Sequence, residues 1–175
     1  MREIERITID VTVARDYQDS KRRRHAQALE LFELARQGSI ELSIAPQGYR
    51  LDVTGDLAEQ LDAALANEGV AEAPQLAYPS EATYPGENLF PGAYVDGFAD
   101  AWEAVVESWH SHEGNPPSLK DRFHVETHVL DGRDIFLTDD GPLLVMCRRL
   151  HDEHAVNVVG MRLRDYLIDA HTRRA

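Results

Sequence analysis

Short β-branched runs alternate with segments of helical period along this chain, and that alternation most limits how it can fold. Arg6 to Val13 sets Ile7, Ile9, Val11 and Val13 against Thr8, Asp10 and Thr12, which is the period of a strand. Arg15 to Ser20 is polar and reads as a turn. Lys21 to Arg36 carries Ala26, Leu29, Phe32, Leu34 and Ala35 at helical spacing, and Gly38 follows as a helix stop. Ile40 to Ile44 is a second short strand, ended by Pro46. A helix from about Tyr49 to Asn67 would bury Leu57, Leu61, Ala64 and Leu65. Asp96 to Trp109 is helical in pattern, with Phe98, Trp102, Val105, Val106 and Trp109 on one face. Ser118 is a good N-cap for a helix running to about Leu130. The pattern then gives a strand at Ile135 to Leu137, a helix at Leu143 to Leu150, a strand at Ala155 to Val159 and a helix at Leu163 to Asp169. Strands that alternate with helices predict an α/β fold, three layers deep (α/β/α), with a mainly parallel central sheet.

At 175 residues the chain fits one domain with a sizeable core. Six of the eight prolines lie between Pro74 and Pro117, so the stretch from about 68 to 117 reads as an irregular, Pro-rich insertion. Its Tyr78, Tyr84 and Phe90 are apolar enough to pack onto the domain. Cys147 is the lone cysteine, which removes an intrachain disulfide and a Cys-rich zinc site. Met1 to Asp10 has no apolar secretory core, and no run is long enough to cross a membrane. The expected location is a reducing cytoplasm.

Eighteen Lys and Arg stand against 31 Asp and Glu, a net charge of −13. A chain that acidic is a poor non-specific nucleic-acid binder. It does not exclude a metal-dependent nuclease, where a bound cation reverses the local sign. In an open parallel sheet the reactive groups collect at the carboxyl ends of the strands. Asp10 lies near the end of the first strand and Asp139 and Asp140 directly after a later one. Asp121 is on the helix leading into that later strand, and Asp52 opens the helix after the second strand. Two carboxylates ~4 Å apart repel by about 4 kcal/mol at an effective dielectric of 20. A divalent cation relieves that, and oxygen ligands suit Mg²⁺ or Mn²⁺. The competing reading is capping: Asp52 and Asp140 stand near helix starts, where acids favour the dipole.

The stretch from Asp121 through His124, Thr127, Gly132, Asp134, Phe136, Leu137 and Thr138 to Asp140 resembles the C-terminal signature of PIN-domain proteins. That signature is an Asp opening a helix, a Gly-x-Asp turn, an apolar strand and Thr-x-Asp. Ile7 to Val13 is similar to the family's opening strand with its first acid, and Phe32 to Ile44 to its helix, Gly turn and second strand. Ala155 to Val159 and on to Tyr166-Leu167 is similar to its ending. The resemblance covers the two ends of the chain and not the Pro-rich middle. It implies a PIN-like fold and a metal-dependent ribonuclease, often the toxin of a toxin–antitoxin pair. By position Asp10 resembles the first acid, Asp121 the third and Asp140 the fourth, with Thr138 as the orienting hydroxyl. Thr12 stands where the family has Asn. The second acid is a Glu in the family. Here it is Asp52, with Asp56 one turn on in reserve. The resemblance implies RNA as substrate, Mg²⁺ or Mn²⁺ as cofactor, and an antitoxin, another protein or a second copy as partner. The shifted second acid and Thr12 also fit a PIN-like domain that has lost catalysis and binds protein or RNA.

Other groups have plainer readings. His124 and His128 share a helix face as zinc ligands do, with His110 and His112 upstream, but packing explains them as well. Lys21-Arg22-Arg23-Arg24-His25 is the one basic run. It suits an RNA backbone or a solvated helix start, and arginines at a helix start oppose the dipole. Arg148, Arg149, Arg162 and Arg164 would extend a basic rim or pair with acids. Trp102 and Trp109 suit base stacking or, more simply, core or dimer packing. Cys147 reads as a small buried hydrophobe.

Overall fold

The computed structural model describes residues 4–45, 56–72 and 95–174. The strands are β1 (Glu5–Ile9), β2 (Ile40–Ile44), β3 (Ala71–Glu72), β4 (Ile135–Leu137) and β5 (Gly160–Met161). The helices are α1 (Val11–Gln18), α2 (His25–Arg36), α3 (Asp56–Asn67), α4 (Phe98–Glu107), α5 (Leu119–Leu130), α6 (Gly141–His154) and α7 (Leu163–Arg174). The five strands form one sheet in the order β3-β2-β1-β4-β5. Every pairing is parallel, with Thr8 of β1 opposite both Ser43 of β2 and Phe136 of β4. The architecture is α/β with an all-parallel sheet.

Alternation along the strands separates two cores. Ile7, Ile9, Leu42, Ile44, Ile135 and Leu137 join the buried faces of α1, α2 and α7. Phe136, between Ile135 and Leu137, turns the other way and joins Phe98, Trp102, Val125, Met146 and Leu150 from α4, α5 and α6. Helices therefore cover both faces, as parallel strands require. In the first core Tyr17 stacks on Phe32 with ring centroids 3.9 Å apart. No described helix is long and apolar enough to cross a membrane.

The first strand is shorter than its sequence pattern. It stops at Ile9, and Val11 to Val13 are helical rather than extended. The cause is Asp10, which is extended (φ −77°, ψ 159°) and caps α1 by accepting from the Val11 amide. A cap at the right place outweighs the strand propensity of two valines. Val11 and Val13 stay in the same core as Ile7 and Ile9, so burial is served either way. The expected turn from Arg15 begins only after Gln18, and α2 begins at His25 rather than Lys21. Lys21 to Arg24 is a turn held by the Asp19 carboxylate, which accepts from the Lys21 amide at 2.9 Å. Most of the basic run therefore precedes the helix, with Arg24 as its N-cap and His25 as its first residue.

The expected strand at Ala155 to Val159 is also displaced. The helix before it runs on to His154 and is closed by Ala155 in the left-handed region (φ 54°). The strand is Gly160–Met161, two residues long, and Val158 is buried in the second core from the loop before it. The start of the second helix expected from Tyr49 lies outside the described residues, as does most of the Pro-rich stretch. Within the expected insertion, Ala71–Glu72 pairs with β2 and Phe98–Glu107 packs in the second core. The expected Ser118 cap, Ile40–Ile44, and Ile135–Leu137 stand as read. Trp102 is buried, and Trp109, beyond the end of α4, donates its indole N–H to the Gly114 carbonyl at 3.0 Å. Both tryptophans serve packing.

Gly160 brings β5 close to α6. A Cβ built there would lie 2.8 Å from Cys147 Cβ and 3.2 Å from its sulfur. Cys147 is fully buried, so it has nowhere to retreat. Gly160→Ala should therefore cost roughly 1–3 kcal/mol as overpacking, read as a lower urea midpoint.

Candidate active site

The strand order reverses between β1 and β4, because the chain builds β2 and β3 on one side and then returns to the other. In open parallel sheets, ligands bind beside the carboxyl ends of the strands at such a reversal, because the loops that leave there run to opposite sides. Asp10 leaves β1 there, and Thr138, Asp139 and Asp140 leave β4. The Asp10 amide donates to the Leu137 carbonyl at 2.9 Å, which continues the ladder one step past the strands.

Asp10 is only 6% exposed. Its Oδ1 accepts from the Val11 amide at 2.7 Å. Its Oδ2 accepts two hydroxyls, Thr12 at 2.8 Å and Thr138 at 2.9 Å. Thr138 Oγ1 in turn accepts from the Asp140 amide at 3.1 Å. Asp140 Oδ1 accepts from the Leu143 amide at 3.0 Å and so caps α6. One buried hydroxyl thus links the first acid to the backbone of the last. Each of the two carboxylates also sits at a helix N-terminus, α1 or α6, where the dipole offsets part of the cost of grouping negative charge.

The neighbouring acid belongs to a different set. Asp139 has a side chain 5% exposed, with Arg24 Nε at 3.3 Å and Arg162 Nη1 at 4.0 Å. Burial pushes its carboxyl above the usual range; Arg24 and Arg162 pull it back, and Asp16 and Asp165 push it further up. Asp16, on α1, is 3% exposed at its side chain and pairs with Arg22 and, at 3.9 Å, with Arg24. The sequence reading missed Asp16. Once Val11 to Gln18 is known to be helical, an Asp three residues after buried Val13 stands on the inward face. That spacing was the available signal.

Asp121 is the third residue of α5 and closes a capping box. Its Oδ2 accepts from the Ser118 amide at 2.6 Å and the Ser118 hydroxyl at 2.7 Å. Asp52 lies outside the described residues, and Asp56 opens α3. The structure brings together Asp10, Thr138 and Asp140. Asp121 instead bonds Ser118. Among the described residues no three His, Cys, Asp or Glu side chains are placed to share one metal ion. What Asp10 and Asp140 offer is hard oxygen, the donor type that suits Mg²⁺ or Mn²⁺.

His124 and His128 are buried core residues. His128 Nδ1 lies 3.0 Å from the Thr8 hydroxyl, and its ring meets Phe136 edge-on at 5.6 Å. Burial, helped by nearby Arg133 and opposed by Asp131 and Asp134, lowers its pKa to about 4. Cys147 is a buried thiol that burial pushes well above its usual pKa, so it is not a nucleophile. No family model matches the chain, and no curated protein matches it in sequence.

His128 predicts a specific acid sensitivity. Its folded pKa of about 4 lies below the ordinary 6.5, so the unfolded chain takes up a proton that the folded one refuses. The contribution is full above pH ~6.5 and falls as pH drops toward ~4, by on the order of 3 kcal/mol in all. Urea unfolding at a series of pH values should show that loss in wild type, and His128→Leu should lack it. Equal slopes in the two proteins would contradict the assignment.

Proposed function

We propose that this protein is a PIN-like, metal-dependent ribonuclease that hydrolyses RNA phosphodiester bonds. The observation that carries the reading is the hydroxyl of Thr138, donating to Asp10 and accepting from the Asp140 amide at the point where the strand order reverses. The resemblance of the Asp121 to Asp140 segment supports it, since the residues joined by that hydroxyl are those the resemblance singles out. Asp10 and Asp140 would hold Mg²⁺ or Mn²⁺, with Asp121 and Asp52 as the further acids. Bound there, the ion supplies a polarised water and offsets charge that grows on the phosphate. The chain's own part is positional. Thr12 and Thr138 fix Asp10 Oδ2, the Val11 amide fixes Oδ1, and α6 fixes Asp140. By the same resemblance the enzyme would serve as the toxin of a toxin–antitoxin pair, with an antitoxin or a second copy as partner.

One observation favours a second reading, a catalytically silent PIN-like binding module. Asp121 and Asp140 each spend a carboxylate oxygen on a helix cap. Acids placed for capping need no metal to explain them.

Cleavage of a labelled RNA in MnCl₂ separates the two. The ribonuclease reading expects Asp10→Asn and Asp140→Asn to abolish cleavage while circular dichroism stays that of wild type. Thr138→Val should lower activity roughly 10–100-fold and raise the metal requirement, the usual effect of losing a group that orients a ligand. Wild-type rates in either Asn variant would remove the mechanism, and no cleavage by wild type on any RNA offered would favour the binding module.

A further inference from the structure

Beside the acids, the fold sets three arginines around two buried carboxylates. Arg22 and Arg24 come from the turn between α1 and α2, and Arg162 from the junction of β5 and α7. Asp16 holds Arg22 through its Nε and lies 3.9 Å from Arg24 Nη1. Asp139 lies 3.3 Å from Arg24 Nε and 4.0 Å from Arg162 Nη1, and its backbone carbonyl accepts from that same Nη1 at 3.4 Å. We propose that Arg22, Arg24 and Arg162 form a rim that binds the phosphate backbone of single-stranded RNA, with Asp16 and Asp139 as positioning residues beneath it. The choice of RNA as ligand rests on the ribonuclease reading above.

Three observations support the assignment. The arginine side chains are 37%, 37% and 46% exposed while the side chains of the acids they pair with are 3% and 5% exposed, so solvent reaches the arginines far more than the carboxylates that hold them. The donors are largely unspent. Each guanidinium has five N–H groups. Among the described residues Arg22 uses Nε, Arg24 reaches its acids through Nε and Nη1, and Arg162 uses Nη1. Arg24 forms no fork on either acid: Asp16 Oδ2 and Asp139 Oδ2 are buried without a hydrogen-bond partner although Arg24 is within ion-pair reach of both. A guanidinium held by charge but not by a bidentate bond keeps its planar fork for a phosphate. The third observation is place. Asp139 stands between Thr138 and Asp140, so the arginines it anchors border the proposed reaction site. Lys21 and Arg23, both exposed, add positive charge to the same turn in a chain of net charge −13.

The test is fluorescence anisotropy of a short fluorescein-labelled oligouridylate, in EDTA, over a range of salt. Wild type should bind, with log Kd rising with log salt. Removing Arg24 alone would take from Asp139 its nearer cation, while Asp16 keeps Arg22, so the variant is Arg24→Ala with Asp139→Asn, beside Arg22→Ala and Arg162→Ala singly. Each should weaken binding several-fold and lower the salt slope by about 0.7 per arginine lost, as expected for a single strand. Arg24→Lys should keep the slope and lose part of the affinity. Wild type that does not bind without metal, or rim variants that bind as wild type does, would overturn the proposal. So would polyglutamate competing with RNA at equal charge, which would point to an acidic protein instead. A parallel cleavage assay in MnCl₂ separates the two readings. RNA bound through the arginines but never cut leaves the rim and removes the ribonuclease. RNA cut equally well by wild type and rim variants removes the rim alone.

Discussion

The hydroxyl of Thr138, buried between β1 and β4 and donating to the Asp10 carboxylate at 2.9 Å, is the contact on which the rest of the site depends. It crosses the seam between β1 and β4, where the order of the described strands reverses. A hydrogen bond to a charged acceptor away from water is worth more than an ordinary one, and leaving that acceptor buried without it costs more still. The same oxygen atom then accepts the Asp140 amide. Two strands that are neighbours in the sheet but 128 residues apart in sequence at this contact are thereby tied at their carboxyl ends, and each tie fixes the start of a helix.

Charge is handled around that point in two ways. Asp10 and Asp140 are eased by amides, hydroxyls and helix N-termini. Asp16 and Asp139 are matched with arginines that stay partly exposed. The first set places anionic oxygen at the carboxyl ends of β1 and β4, and the second places cationic nitrogen beside it. At the amino end of the sheet the acids are spent differently: Arg133, 4% exposed at its side chain, is paired with Asp131 and with Glu41 at 2.8 Å, and serves to hold the loop before β4.

The parallel α/β arrangement was legible because parallel strands buried on both faces leave a plain record. Ile40 to Ile44 and Ile135 to Leu137 could be little else. The errors fall where one local signal competes with another. Val11 and Val13 continue the strand alternation, and only the capping geometry of Asp10 turns them into a helix. Ala155 to Val159 has strand composition, yet the helix before it runs on to His154 and the pairing shifts to a glycine that Cys147 leaves room for. Within the site, Asp10, Thr138 and Asp140 could be read from their register. Asp16 is legible only through its spacing from Val13 once Val11 to Gln18 is helical, and the sequence pattern there gives strand and turn. Thr12 stands where the resemblance expects Asn, and its hydroxyl bonds the acid directly.

Whether the Asp10 and Asp140 oxygens hold a cation is tested by thermal stability against MnCl₂ and MgCl₂ for wild type and Asp140→Asn. An ion that binds the folded state alone adds about 2.7 kcal/mol at ~100 times its Kd. For a domain of this size that is on the order of 5–10 °C in Tm. Asp140→Asn relieves repulsion and removes a charged cap, so its metal-free Tm moves on its own account and the metal-dependent increment is what is compared. Wild type should show a saturable rise that shrinks in the variant. A flat response in both proteins, or an equal rise in both, would mean that these acids hold no ion.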